Sequence, residues 1–209
     1  LTLDSASQFT PDPPVPFSTE KTSQFYKLAN EVYTAVDSNK EEKMEIANFW
    51  DCNPYVMHQQ GHLMMATKKI TPGGHWMGIV GLVTRKAGLD MVGTAEAYAM
   101  VSIGLFDGFI SCWDEKFRSN VIRPETYINR FIDPDWEPTL QTPPFPEHTS
   151  GHSVISSASC VILTKMFGDN FAFEDSTEVP YNLPVRSFKS FKEAADEASI
   201  SRFYGGIHF

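Results

Sequence analysis

Seven residues in three short segments have the types and the order needed to hold a tetrahedral oxyanion. Lys116 and Arg123 stand in a Lys-x6-Arg-Pro run, Ser150, Gly151 and His152 are consecutive, and Arg202 and His208 close a Ser-Arg-x5-His run. Three cations offer charge-assisted donors to the oxygens of a phosphate-like group. A Ser-Gly pair entering a helix presents backbone amides that have no intrahelical partner. Two imidazoles can act as a nucleophile or metal ligand and as an acid–base group opposite it. Each piece alone has an ordinary reading: a basic helix end, a helix cap, a paired or solvated arginine. Occurring together, each beside a Gly or Pro where the chain must turn, they point to an anion cradle.

Helices must position these residues. Residues 1–20, with Pro11, Pro13, Pro14 and Pro16, read as an extended lead-in. Thr22 or Ser23 can cap a helix running through Ser38 with Phe25, Leu28, Val32 and Val36 on one face. A second helix is expected from Asn39 to about Asn53-Pro54 and a third from His75 to Ala87, with a loop carrying a short helical insert over 58–74. Met91 to Arg118 is long, apolar and free of Pro, the pattern of a central buried helix. If that helix continues, Lys116 and Arg123 lie two turns apart on one face, together with Trp113. A Pro-rich loop follows from Asp133 to Pro146, then a helix from Thr149 or Ser150 to Met166, closed by Gly168. Residues 169–186 read as loop, and a last helix starts near Ser187 and ends at Gly205-Gly206, which lets Arg202 and His208 converge. No window alternates as a strand. The expected architecture is a single all-α domain over 1–209, a helix bundle without internal repeats.

With 209 residues, 42% hydrophobic and 21% charged, the composition is that of one globular domain. A net charge of −9 argues against nucleic acid as a partner. No run approaches the roughly 20 uninterrupted apolar residues of a membrane span. Cys52, Cys112 and Cys160 form no C-x-x-C pair and read as small buried thiols.

The ordered set Lys-x6-Arg-Pro, Ser-Gly-His and Ser-Arg-x5-His resembles the superfamily that joins vanadium-dependent haloperoxidases, bacterial acid phosphatases and type 2 phosphatidic acid phosphatases. The resemblance covers roughly residues 100–209. The runs Phe-Pro-Glu-His-Thr-Ser-Gly-His-Ser and Ser-Arg-Phe-Tyr-Gly-Gly-Ile-His-Phe are most similar to bacterial haloperoxidase-like proteins. The resemblance implies an all-helical fold and vanadate as cofactor. Lys116, Arg123, Arg202, Ser150 and the Gly151 amide would hold the oxygens. His208 would be the vanadium ligand, and His152 the acid–base residue. Trp113 and Phe145 match positions beside the vanadate, and His148, His62 and His75 are further candidates for the pocket lining.

The implied activity is peroxide-dependent halide oxidation, with hydrogen peroxide and a halide as small-molecule substrates. The alternative on the same residues is a phosphatase acting on phosphomonoesters through a phosphohistidine. A non-catalytic helical binding domain is the alternative from another class. A metal hydrolase using His62, His75, His148 and His152 lacks any H-E-x-x-H spacing. Family habit implies a periplasmic or envelope location, and an oligomer is possible. In the family a carboxylate four residues after the last histidine orients its ring, a position numbered 212 here. The chain therefore reads as part of a longer protein, whose remainder is an expected partner. Asp107 is expected to pair with an arginine, since an unpaired buried carboxylate is costly.

Overall fold

The computed structural model describes residues 2–35, 40–52, 55–60 and 63–209. Helix α1 spans Gln24–Ala35 and α2 Lys40–Phe49. A hairpin of β1 (Tyr55–Gln60) and β2 (Leu63–Lys68) follows. Then come α3 (Pro72–Lys86), α4 (Met91–Ser119), α5 (Pro124–Phe131) and α6 (Gly151–Phe167). A second hairpin, β3 (Phe173–Asp175) and β4 (Arg186–Phe188), precedes α7 (Phe191–Tyr204).

Capping explains most of these boundaries. Ser23 accepts from the Tyr26 amide, Thr71 from Gly74, Asp90 from Gly93, Ser150 from Ser153 and Ser190 from Glu193. Helix α3 starts earlier than its apolar rhythm suggests because Pro72 sits in its first turn, where no amide donor is needed. The core is made where α3, α4, α6 and α7 meet, around Trp50, Trp76, Val101, Ile155, Leu163 and Phe191. A smaller cluster joins α1 to α5 through Phe25, Val32, Tyr127 and Ile128. Gly104 lets α4 approach α6, since a Cβ there would fall on the Ile162 side chain.

Four expectations are corrected. The long helix ends close to the expected Arg118, at Asn120 with its left-handed φ of 50°, and does not continue to Arg123. Pro124 then holds Arg123 extended as the N-cap of α5, so Lys116 and Arg123 are brought together by a turn and not along one helix. Residues 55–60 pair antiparallel with 63–68, where a loop was expected from 58 onward. Short strands also pair within 169–188, where the rings of Phe173 and Phe188 sit 5.5 Å apart across the register. Strands of three residues are too short for alternation to show. Met91–Phe131 is long and apolar enough, by length and composition alone, to cross a membrane. A single such helix is weak grounds for a span; one face of α4 buries Ala97, Val101 and Leu105 in this bundle, while Met100, Ile103 and Phe106 are exposed. Finally, Asp107 accepts from the backbone and hydroxyl of Thr2, and not from an arginine.

After α7 the chain reverses at Gly205-Gly206. Gly206 has φ +73°, and a Cβ there would meet Pro138 and Trp136 at 3.0 Å. The turn is locked by Leu140 N donating to Gly205 O and Ile207 N to Arg202 O. Gly206→Ala is expected to cost about 2–4 kcal/mol, from the left-handed conformation and overpacking together. Urea unfolding with an unchanged m-value checks this.

Candidate functional site

A cavity of about 320 Å3 opens where the N-terminus of α6, the end of α7 and the 141–147 loop meet. Arg123, Gly151, His152, Arg202 and His208 line it, with Trp113 and Phe145 on one side. Five of the seven residues expected to hold an oxyanion therefore share one cavity. The other two are turned elsewhere. Lys116 is fully buried and its Nζ donates to the carbonyls of Pro146 and Glu147, at 2.9 and 2.8 Å. Ser150 spends its hydroxyl on the helix cap.

Backbone carbonyls also hold the guanidinium of Arg123. Nε donates to Phe145 O at 2.8 Å, and NH1 to Ile207 O at 2.7 Å. The same NH1 lies 2.9 Å from His208 Nε2. A guanidinium can only donate, so Nε2 carries the lone pair. The other ring nitrogen, Nδ1, lies 2.5 Å from Glu147 Oε1 and donates its proton there. His208 is thus fixed as the neutral Nδ1–H tautomer. Its electrostatics agree: burial lowers its pKa to about 4, with Arg123 and Lys116 adding to the effect and Glu147 opposing it. Burial alone would raise the Glu147 carboxyl, but His208 and Arg123 outweigh it and hold the group below the ordinary range.

The remaining groups are tuned by the same crowding. Burial, then Arg123, lowers Lys116 to about 8. Arg123 falls to about 10, mainly through burial. Arg202 donates to Ser201 Oγ at 2.9 Å and Ala47 O at 3.2 Å; burial lowers its pKa while Cys52 and Asp51 counteract. His152 is held well below its ordinary value by burial and then by Arg202 and His208. A backbone hydrogen bond to Trp50 works the other way, and its Nε2 is buried without a partner. The site thus presents two neutral imidazoles among cations.

Two expected lining residues are corrected. His75 lies outside the cavity, fully buried, because the carboxylates of Asp175 and Glu178 capture its ring. His148 does not line it either; its Nε2 is buried without a hydrogen-bond partner, while the adjacent Glu147 reaches the His208 ring. His62 lies outside the described residues. Among the described residues His75, His148 and His152 do not gather as one ligand set. Glu147 was missed by the sequence reading, since nothing in its spacing from His208 joins them. Asp51, bonded to Lys69 at 2.7 Å on the cavity edge, was missed for the same reason.

The family model for the VCPO second helical-bundle domain matches residues 96–209, more than half of the chain. This chain belongs to the vanadium haloperoxidase superfamily. The solved structure of a bacterial vanadium-dependent iodoperoxidase is 58% identical, with a TM-score of 0.91 over 99% of this chain and 49% of that one. The holo and apo forms of a bacterial vanadium-dependent chloroperoxidase share the fold at TM-scores of 0.62 and 0.65, with 17% and 16% identity over 88% of this chain. Those matches cover 42% and 43% of the chloroperoxidase chains, so this chain spans about half the length of each of these haloperoxidases or less. No curated protein sequence matches it.

The tautomer of His208 sets a pH signature. The unfolded chain takes up a proton near 6.5 and the folded one near 4, so stability falls as pH drops through that window. NMR titration of the His208 ring should give a midpoint near 4. In Glu147→Gln the midpoint should fall further, because the carboxylate was favouring the charged form. A midpoint near 6.5 in the parent sequence would contradict the assignment.

Proposed function

We propose that this chain carries the vanadate site of a vanadium-dependent haloperoxidase. The full-length protein would use it to oxidise halide with hydrogen peroxide. One observation carries the reading: His208, with a lone pair at Nε2, shares a cavity with Arg123, Arg202, the start of α6 and His152. These residues fit the group. A neutral imidazole nitrogen suits the metal, and the guanidinium groups and the Gly151 amide suit its oxygens. The buried, unpartnered Nε2 of His152 suits a proton-transfer role beside them. When bound, vanadate would supply the Lewis-acid centre at which peroxide is activated and halide oxidised.

The chain's own residues then divide the work. Glu147 holds the His208 ring so that Nε2 faces the cavity, and Arg123 must release Nε2 before it can ligate. Arg123 keeps its bonds to Phe145 O and Ile207 O as a pivot. Arg202 and the α6 amides balance negative charge. Lys116, 5.3 Å from the Phe145 ring centroid, adds a buried positive charge behind the wall. Because its pKa is lowered to about 8, its contribution to anion affinity fades as pH rises through that value. His152, neutral at physiological pH, accepts a proton from incoming peroxide and returns it. The likeness to an iodoperoxidase at 58% identity favours iodide as the halide oxidised.

In the full-length protein loaded with vanadate, peroxide-dependent iodide oxidation should exceed bromide oxidation and vanish in His208→Ala. His152→Ala should lower turnover by about 10²–10⁴-fold while vanadate affinity stays within a few-fold. Equal loss of both in His152→Ala would contradict its role, and halide oxidation surviving in His208→Ala would overturn the reading.

A further inference from the structure

Behind the cavity wall, three potential metal ligands converge on one buried point. Cys52 follows α2, His75 sits in the first turns of α3, and Glu178 follows β3. They are 2%, 0% and 1% exposed. His75 Nδ1 stands 3.1 Å from Glu178 Oε1 and 3.5 Å from Cys52 Sγ, and the three ligand atoms all lie within 4.8 Å of one another. Tetrahedral ligands at zinc bond lengths stand about 3.4 Å apart for N and O and about 3.6 Å apart for N and S. The two distances to Nδ1 lie close to those values.

The surroundings supply what a metal histidine needs. The other ring nitrogen, Nε2, is 2.7 Å from Asp175 Oδ2, the carboxylate partner that fixes a ligating imidazole with its lone pair on the metal side. Asp175 is itself held, its Oδ1 accepting from the Thr177 amide at 3.0 Å and hydroxyl at 2.6 Å. Trp50 stacks on the ring at 4.5 Å. Glu178 Oε1 is buried, and His75 Nδ1 at 3.1 Å is its ion-pair partner when the ring is protonated. Burial lowers the His75 pKa, but Asp175, Cys52 and Glu178 together raise it well above its ordinary value. Without a metal, the proton on His75 supplies the positive charge that Glu178 faces; a divalent cation would take its place and leave the ring lone pair on the metal side.

We propose that Cys52, His75 and Glu178 form a binding site for a divalent cation of the zinc class, oriented by Asp175. Binding would convert the Cys52 thiol to a thiolate and displace the His75 Nδ1 proton, both protons being released to solvent. The cation would pin the segment after α2 and the turn after β3 onto α3. Cys52 also lines the anion cavity, so the metal would stiffen the wall beside Arg202. No step of halide oxidation is assigned to it, and its test does not depend on that activity.

Full-length protein incubated with zinc and then desalted should retain one equivalent by elemental analysis. Cobalt(II) in its place should give tetrahedral ligand-field bands with a thiolate charge-transfer band. Cys52→Ser should abolish that band, and Glu178→Gln, which keeps shape, should weaken zinc binding at least tenfold with the fold intact by circular dichroism. Asp175→Asn should weaken it about 10- to 100-fold. Retention well below one equivalent in folded protein would overturn the proposal. So would stoichiometric metal that Cys52→Ser and Glu178→Gln leave unaffected, since it would then be bound elsewhere.

Discussion

His208 is held at both ring nitrogens, by Glu147 at Nδ1 and by Arg123 at Nε2, and much of the nearby structure keeps those two partners in place. One buried anion stands among two buried cations here, and each charge has a hydrogen-bonded partner, which is the condition for burying them at all. Glu147 also accepts from the Phe209 amide and donates its own amide to Val121 O. The Glu147 amide therefore ties the loop before α6 to the α4–α5 turn, and its carboxylate ties that loop to the segment after α7. Removing it would leave a buried Nδ1–H without an acceptor, at a cost of about 1–3 kcal/mol.

The helices can be read outward from that pair. α4 ends at Asn120 so that Lys116 and Arg123 approach the same loop carbonyls from two directions. α6 begins at Ser150 so that its free amides and His152 arrive at the cavity together. α7 brings Arg202, and the Gly205-Gly206 reversal returns His208 beneath it. Burial then lowers the pKa of both imidazoles, leaving neutral rings among cations. A neutral imidazole among cations can offer its lone pair to the central atom of a bound oxyanion.

Much of this was legible in the sequence, for identifiable reasons. Caps at Ser23, Ser150 and Gly168 marked helix ends because short polar side chains and glycine satisfy backbone groups locally. The segments carrying Arg123, His152, Arg202 and His208 were legible as an ordered set. Long-range pairing was not: no local pattern joins Glu147 to His208, or Asp175 and Glu178 to His75. Helix α5 was missed because eight residues after a proline give too little rhythm. Lys116 was expected in the cradle and is instead bonded to carbonyls in its wall, a choice made by the loop that sequence periodicity does not describe. His148 was expected to line the cavity and does not, since local spacing does not fix where a loop side chain lies.

The central claim is that His208 Nε2 is the ligand-bearing atom and Arg123 its movable partner. A crystal structure of the protein soaked with orthovanadate tests it most directly. The account predicts density bonded to Nε2, Arg123 NH1 swung from the ring onto the anion, and the Glu147–Nδ1 hydrogen bond unchanged. An anion bound elsewhere in the cavity, with Arg123 still on Nε2, would contradict it.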